Sequence, residues 1–194
     1  MIIQFCGLSG AGKTTLARAV GEKLDQQSYA TEIIDGDEYR ETLCRGLGFS
    51  KEDRFENMRR MAFVAGKLTR HGIISIICAI NPYQEMRDEV HASYPNVKTI
   101  YIDCPLKTLE ERDTKGLYFK ASLPDDHPHK IKNLTGVNDV FEIPAQPDLY
   151  INTADHSIEE CRDKIVDFTL EQLKSSKIIH LLPEQRSYHV STYL

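Results

Sequence analysis

The stretch Ile2-Ile3-Gln4-Phe5-Cys6-Gly7-Leu8-Ser9-Gly10-Ala11-Gly12-Lys13-Thr14-Thr15 decides the fold. Its first five residues form a short, mainly apolar run of the kind a buried strand requires, and a helical period begins at Lys13. Between them, Gly7 to Thr14 matches G-x-x-x-x-G-K-[ST] in the required strand-to-helix context. A polyphosphate needs backbone N–H groups converging on it, and the lack of side chains at Gly7, Gly10 and Gly12 leaves that approach open. Ser9 and Ala11 complete the loop, and the helix N-terminus adds partial positive charge. Lys13 reaches the β- and γ-phosphates, the Thr14 hydroxyl is placed to ligate Mg2+, and Thr15 supports the α-phosphate. The loop therefore predicts a site for ATP and Mg2+. It does not name the acceptor.

Outward from this loop, short apolar runs alternate with stretches of helical period, which predicts an α/β protein with a central parallel five-stranded sheet and helices on both faces. Strands are expected over 2–6, 31–34, 73–77, 99–102 and 148–151. Helices are expected over 13–24, 53–70, 83–93, 106–112 and 157–174, the last opened by a capping box of Ser157 and Glu160. Residues 113–147 show neither period and are rich in Lys, Asp, His, Gly and Pro. Connections beyond about 12 to 15 residues in a compact domain are usually functional, so this one is read as a lid. One domain over 1–174 is expected, followed by a C-terminal extension over 175–194 that carries an apolar patch from Ile178 to Leu182.

The 194 residues carry 24 Lys plus Arg against 29 Asp plus Glu, a formal net charge of -5, which gives no overall basic field for nucleic acid. No apolar run approaches the roughly 20 residues of a membrane span, and no signal-peptide pattern opens the chain. A cytoplasmic protein without a membrane or nucleic-acid partner is the expectation. The five cysteines lie far apart without a C-x-x-C pair and read as reduced, mostly buried thiols.

A second constellation follows the second strand, where Asp35, Asp37 and Arg40 gather at the carboxyl edge of the sheet, the ligand-binding edge of open α/β folds. A carboxylate there can ligate Mg2+ through water or accept a hydroxyl proton, and an arginine can hold an anionic acceptor. Asp-Gly-Asp is also a common turn composition. Farther on, Arg54, Asn57 and either Arg60 or Met61 share a helical face that could clamp a phosphate or sulfate, unless it is an ordinary charged surface.

With these residues in view the chain resembles the adenylylsulfate kinases, P-loop kinases that use ATP to phosphorylate the 3'-hydroxyl of adenosine 5'-phosphosulfate (APS), giving PAPS. The resemblance covers Ile3 to about Leu173. Its landmarks are the glycine loop from Gly7, Asp-Gly-Asp-x-x-Arg from Asp35, Leu-Gly-Phe-Ser from Leu47 and Arg-x-x-Asn from Arg54. Asn81-Pro82, Lys115-Gly116-Leu117-Tyr118 and Asn133-Leu134-Thr135-Gly136 follow in the same order. It implies a three-layer P-loop kinase domain with a lid, a phosphotransferase of sulfate assimilation with an alcohol acceptor, and a homodimer. It also implies that Lys13, Asp35 and Asp37 serve the chemistry, with Asp37 the proton acceptor or orienter. Arg40, Arg54 and Asn57 would hold the phosphosulfate end and Phe49 would stack on the base. Ile80 and Asn81 would line the pocket through their backbone, and Lys115 would enter from the lid.

Three departures bear on the acceptor. Asn81 stands where the family commonly has Ser, so no phosphoserine can form there. Leu134 replaces the Phe thought to stack on adenine opposite Phe49, a contact worth on the order of 1 to 3 kcal/mol by analogy with single-strand binding. The lid is longer between Lys120 and Lys132 and carries His127 and His129, which lack a third ligand and read as a solvated loop. A related enzyme acting on another nucleotide diester, such as cytidine diphosphoramidate in capsule modification, therefore remains the alternative. A nucleotide-binding regulator without an acceptor is disfavoured, because the third strand runs into Cys78-Ala79-Ile80-Asn81 without a Walker B Asp.

Overall fold

The computed structural model describes residues 1–175; the apolar patch expected at Ile178 to Leu182 and nearly all of the expected extension lie outside them. Five parallel strands, β1 (Ile2–Cys6), β2 (Thr31–Asp35), β3 (Ile74–Cys78), β4 (Val97–Asp103) and β5 (Leu149–Asn152), form one sheet in the order β2-β3-β1-β4-β5. Helix α1 (Lys13–Asp25) joins β1 to β2, and α2 (Gly36–Glu41) and α3 (Lys51–Thr69) lead to β3. After α4 (Gln84–Ser93) and β4 come α5 (Leu106–Arg112), α6 (Leu117–Ser122), β5 and α7 (Ile158–Ser175).

Both faces of the sheet are covered, which is why its strands read as continuous apolar runs instead of alternating ones. Neighbouring residues on one strand serve opposite cores: Ile3 and Phe5 pack with Leu16, Val20 and Ile165 of α1 and α7, while Ile2 packs with Met58, Met61 and Val90 of α3 and α4. Gln4 shares the α4 side of the sheet yet is fully buried. Its amide is satisfied by donating to Thr99 Oγ1 at 2.8 Å and to the Arg87 carbonyl at 3.3 Å.

The expected helices are present, α5 at its expected bounds and the other four with ends shifted by one or two residues. Helix α3 begins at Lys51, two residues earlier than its period suggests, because the Ser50 hydroxyl accepts from Asp53 N at 3.1 Å and caps it. Two six-residue helices, α2 and α6, are too short to show a period. Asp35 caps the first; Asp113 opens the second by accepting from the N–H groups of Tyr118 and Phe119. The 113–147 segment is thus less irregular than its composition suggests.

Candidate active site

The glycine loop bends back over the carboxyl ends of β1 and β4. A side chain at Gly7 would place its Cβ 2.1 Å from the Ile102 carbonyl oxygen, so this glycine is required by the neighbouring strand rather than by phosphate approach. Gly12 sits at φ 90° immediately before α1, and no side chain caps that helix. The first N–H groups of α1 are thereby left to a ligand.

A cleft of about 280 Å3 opens above this loop. Ser9, Gly10, Gly12, Lys13, Thr14 and Thr15 line one end; Asp35, Asp37, Arg40, Phe49, Arg54, Asn57, Ile80, Asn81 and Lys115 complete it. Residues spread over 100 positions of sequence are brought to one place by the carboxyl edge of the sheet. Three expected site residues are not. Gly7 lies beneath the loop, Ala11 is fully buried in the core with its carbonyl accepting from Thr153 Oγ1, and Leu134 is buried in the α1/α7-side core.

Lys13 Nζ donates to the carbonyls of Gly7 (2.9 Å) and Leu8 (2.7 Å), folded over its own loop. Burial, with a contribution from the Lys115 ammonium, pushes its pKa from 10.5 down to about 8. Thr14 Oγ1 donates to Asp35 Oδ2 at 2.6 Å, while Asp35 Oδ1 accepts from Asp37 N. Asp35 is therefore both the helix cap its turn composition suggested and the carboxylate that meets the loop hydroxyl. That pairing supplies from β2 what the end of β3 lacks. A hydroxyl beside a carboxylate is a hard-oxygen set suited to Mg2+, which is commonly held by one or two carboxylates plus substrate phosphates.

At the other end, the Arg40 guanidinium lies 4.4 Å from the centroid of Phe49 and donates to the Gly48 carbonyl at 2.7 Å. Phe49 is half exposed, with the Arg54 guanidinium 5.6 Å from its centroid. Arg54 is buried and donates to the carbonyls of Phe49 and Asn133 and to Asp139 Oδ2. Asn57 points to the side of α3 that holds Met61, whereas Arg60 turns away to Glu56 and the Leu43 carbonyl. The shared face is thus Arg54, Asn57 and Met61. Among the described residues, the buried Oδ1 atoms of Asn57 and Asn81 have no hydrogen-bond partner, and both residues line the cleft, where a ligand hydroxyl or amine can donate.

Besides Asn133 and Asp139 at Arg54, the 113–147 segment reaches the cleft near its start. Lys115 Nζ pairs with Asp37 Oδ2 at 2.5 Å, and the Tyr118 hydroxyl donates to the Ser9 carbonyl at 2.7 Å. Tyr118 belongs to the Lys115-Gly116-Leu117-Tyr118 landmark, from which only Lys115 was expected at the site. Cys78 and Met86 also line the cleft, and sequence reasoning missed them because both read as core. Burial pushes the Cys78 thiol up to about 12, so it stays protonated beside Lys13.

A phosphate loop and an arginine-and-aromatic pocket in one cleft of a five-stranded parallel sheet define a P-loop kinase. The adenylylsulphate kinase family model matches residues 1–152. An adenylyl-sulfate kinase of Deinococcus deserti is 46% identical over 86% of this chain and 89% of its own length; one from Chloroflexus aurantiacus is 45% identical over 86% and 87%. A solved Mycobacterium tuberculosis APS kinase in complex with AMPPNP and APS superposes with a TM-score of 0.80 at 36% identity, covering 87% of this chain and 96% of that one. The chain belongs to the adenylylsulphate kinase family.

Proposed function

We propose that the protein transfers the γ-phosphoryl group of ATP to the 3'-hydroxyl of APS, giving PAPS and ADP for sulfate assimilation. The observation that carries this reading is the two-ended cleft, with Lys13 on the phosphate loop at one end and Arg40, Phe49, Arg54 and Asn57 at the other. ATP lies along Gly10 to Thr15, with Thr15 at the α-phosphate and Lys13 following charge from the β- to the γ-phosphate. Thr14 and Asp35 would hold Mg2+, which when bound would neutralise charge on the phosphate oxygens.

Phe49 stacks on the acceptor base, the three polar residues hold its anionic end, and the backbone at Ile80 and Asn81 lines the side. The 3'-hydroxyl attacks the γ-phosphorus, the bond to the bridging oxygen of ADP breaks, and the hydroxyl proton passes to the Asp37 carboxylate. Lys115 keeps that carboxylate in place from the lid over residues 113–147, which also excludes water. Asn81 gives no phosphoenzyme route, so transfer is direct.

Leu134 was the main reason to consider a smaller base. Because it packs in the core, the structure offers no feature favouring a cytidine diester. The test is ADP formation from ATP and Mg2+ with APS, cytidine diphosphoramidate, nucleoside monophosphates or no acceptor. Strong stimulation by APS alone is expected, and turnover equally fast without acceptor would refute the kinase reading. The same proposal places the enzyme in the cytoplasm, supported by five free buried thiols, and makes it a homodimer, to be measured by light scattering. No helix among the described residues is long and apolar enough to cross a membrane.

A further inference from the structure

Arg87 on α4 is 1% exposed, and its hydrogen bonds go to neutral oxygens. Nη1 donates to the Asn81 carbonyl at 2.7 Å, Nη2 to Gln84 Oε1 and to the Glu142 carbonyl, each at 2.8 Å, and Nε to Gln84 Oε1 at 3.3 Å. A buried guanidinium held this way contributes little net stability, because its desolvation offsets most of the gain. The bonds do something more specific, since they join the cleft wall at Asn81 to the segment whose Asp139 meets Arg54.

The first segment is the wall. Asn81 has φ 49°, a left-handed backbone that a non-glycine residue keeps only when its surroundings fix it. Arg87 fixes its carbonyl, and Gln4 Oε1 accepts from its Nδ2 at 3.0 Å. The preceding residue is held as well, with the Ile80 carbonyl accepting from Gly7 N at 3.1 Å. The second segment is the far root of the lid. Glu142 gives its carbonyl to Arg87, its N–H to the Pro82 carbonyl at 2.8 Å, and its Oε2 accepts from Gln84 N at 2.6 Å. Three residues earlier, at Asp139, the same segment meets Arg54.

We propose that Arg87 is a positioning residue that anchors the acceptor-side wall of the cleft at Asn81 and the lid root at Glu142 to one planar guanidinium. It touches no substrate. Through it, the wall and the lid hold one register, so the acceptor pocket is preformed, while Ser9, Gly10 and Gly12 to Thr15 of the phosphate loop receive no bond from it. A lysine cannot serve carbonyls on two segments and an amide oxygen in one plane.

The consequence for substrate rests on the kinase reading above, and the test separates the two. In Arg87→Lys the acceptor KM is expected to rise at least tenfold while the ATP KM stays within twofold; equal rises in both, or none, would overturn the anchor. Independently of any acceptor, hydrogen exchange of the full chain should show the amides of 80–84 and 139–143 losing protection together in Arg87→Lys. Loss in only one segment refutes the coupling even if APS is not the substrate. Glu142→Ala keeps the arginine and cuts only the side-chain bond to Gln84, and serves if the arginine variant does not fold. It is expected to raise the acceptor KM about threefold with exchange accelerated in both segments, and an unchanged KM with unchanged exchange counts against the proposal.

Discussion

Asp139 Oδ2 lies 3.0 Å from Arg54 Nη2, so a carboxylate of the 113–147 segment occupies the guanidinium that faces the acceptor end of the cleft. Both side chains are largely sheltered, which makes the pair stronger than an exposed one. An anionic acceptor must share or displace this contact. Asp139→Asn removes the competing charge while keeping the shape, and is expected to lower the acceptor KM about five- to tenfold, on the order of 1 kcal/mol, without changing the ATP KM. Steady-state kinetics with each substrate varied decides it. A higher acceptor KM would mean that Asp139 orients Arg54 for binding.

Lys13 makes ATP binding depend on pH in a definite direction. Its ammonium, pushed down to about 8 in the free protein, is favoured by bound phosphates. Below that value Lys13 is already protonated and contributes no pH dependence. Above it the protein must take up a proton to bind, and affinity falls by up to about tenfold per pH unit. Calorimetry in buffers of different ionisation enthalpy should record proton uptake on ATP binding at pH 8.5 that is absent in Lys13→Met. The same shift means that Lys13 opposes folding fully below pH 8, and that this opposition fades as pH rises from 8 toward 10.5.

The hydroxyl of Thr14 and the carboxylate of Asp35 should fail together. Thr14→Val keeps the volume but deletes the donor of the 2.6 Å bond and the oxygen placed for Mg2+. The expected result is a maximal rate lower by a hundredfold or more and a higher Mg2+ requirement, with thermal stability down by only about 1 kcal/mol. Asp35→Asn should shift the Mg2+ titration in the same direction. If Thr14→Val changed stability alone, the pair would be a helix-capping arrangement with no part in the chemistry.

The sheet and five of the helices were legible because their signals are local: uninterrupted apolar runs where both faces are covered, and helical periods of seven residues or more. Helices α2 and α6, at six residues each, lack that length. The cleft was legible through short motifs, each spanning a few positions. What escaped was whatever depends on distant partners. Nothing near Arg87 in sequence announces Glu142, 55 positions away, and nothing near Gly7 announces the Ile102 carbonyl. Leu134 was judged by the residue it replaces, whereas its position is set by the core it fills.

Gly7→Ala tests the close approach directly. A methyl group 2.1 Å from a carbonyl oxygen on β4 cannot be relieved by a side-chain rotation, because the obstacle is backbone in the sheet interior. The expected loss is about 3 kcal/mol or more, seen as a lower denaturation midpoint in urea. Intact stability with weakened ATP binding would return Gly7 to the phosphate site.

Leu134→Phe then separates packing from recognition. Leu134 is buried with Leu16, Leu109 and Tyr118 among its core companions, and its N–H donates to Asn138 Oδ1 at 2.7 Å. A larger ring there overpacks a filled core, at a cost of about 1 to 3 kcal/mol. If the residue faced the acceptor instead, the ring would add a stacking surface, lower the KM for adenine acceptors and leave stability unchanged. The core position predicts the opposite pattern: a lower unfolding midpoint, no gain in adenine preference, and increased protease cleavage between 123 and 140 as the segment above the filled site loosens.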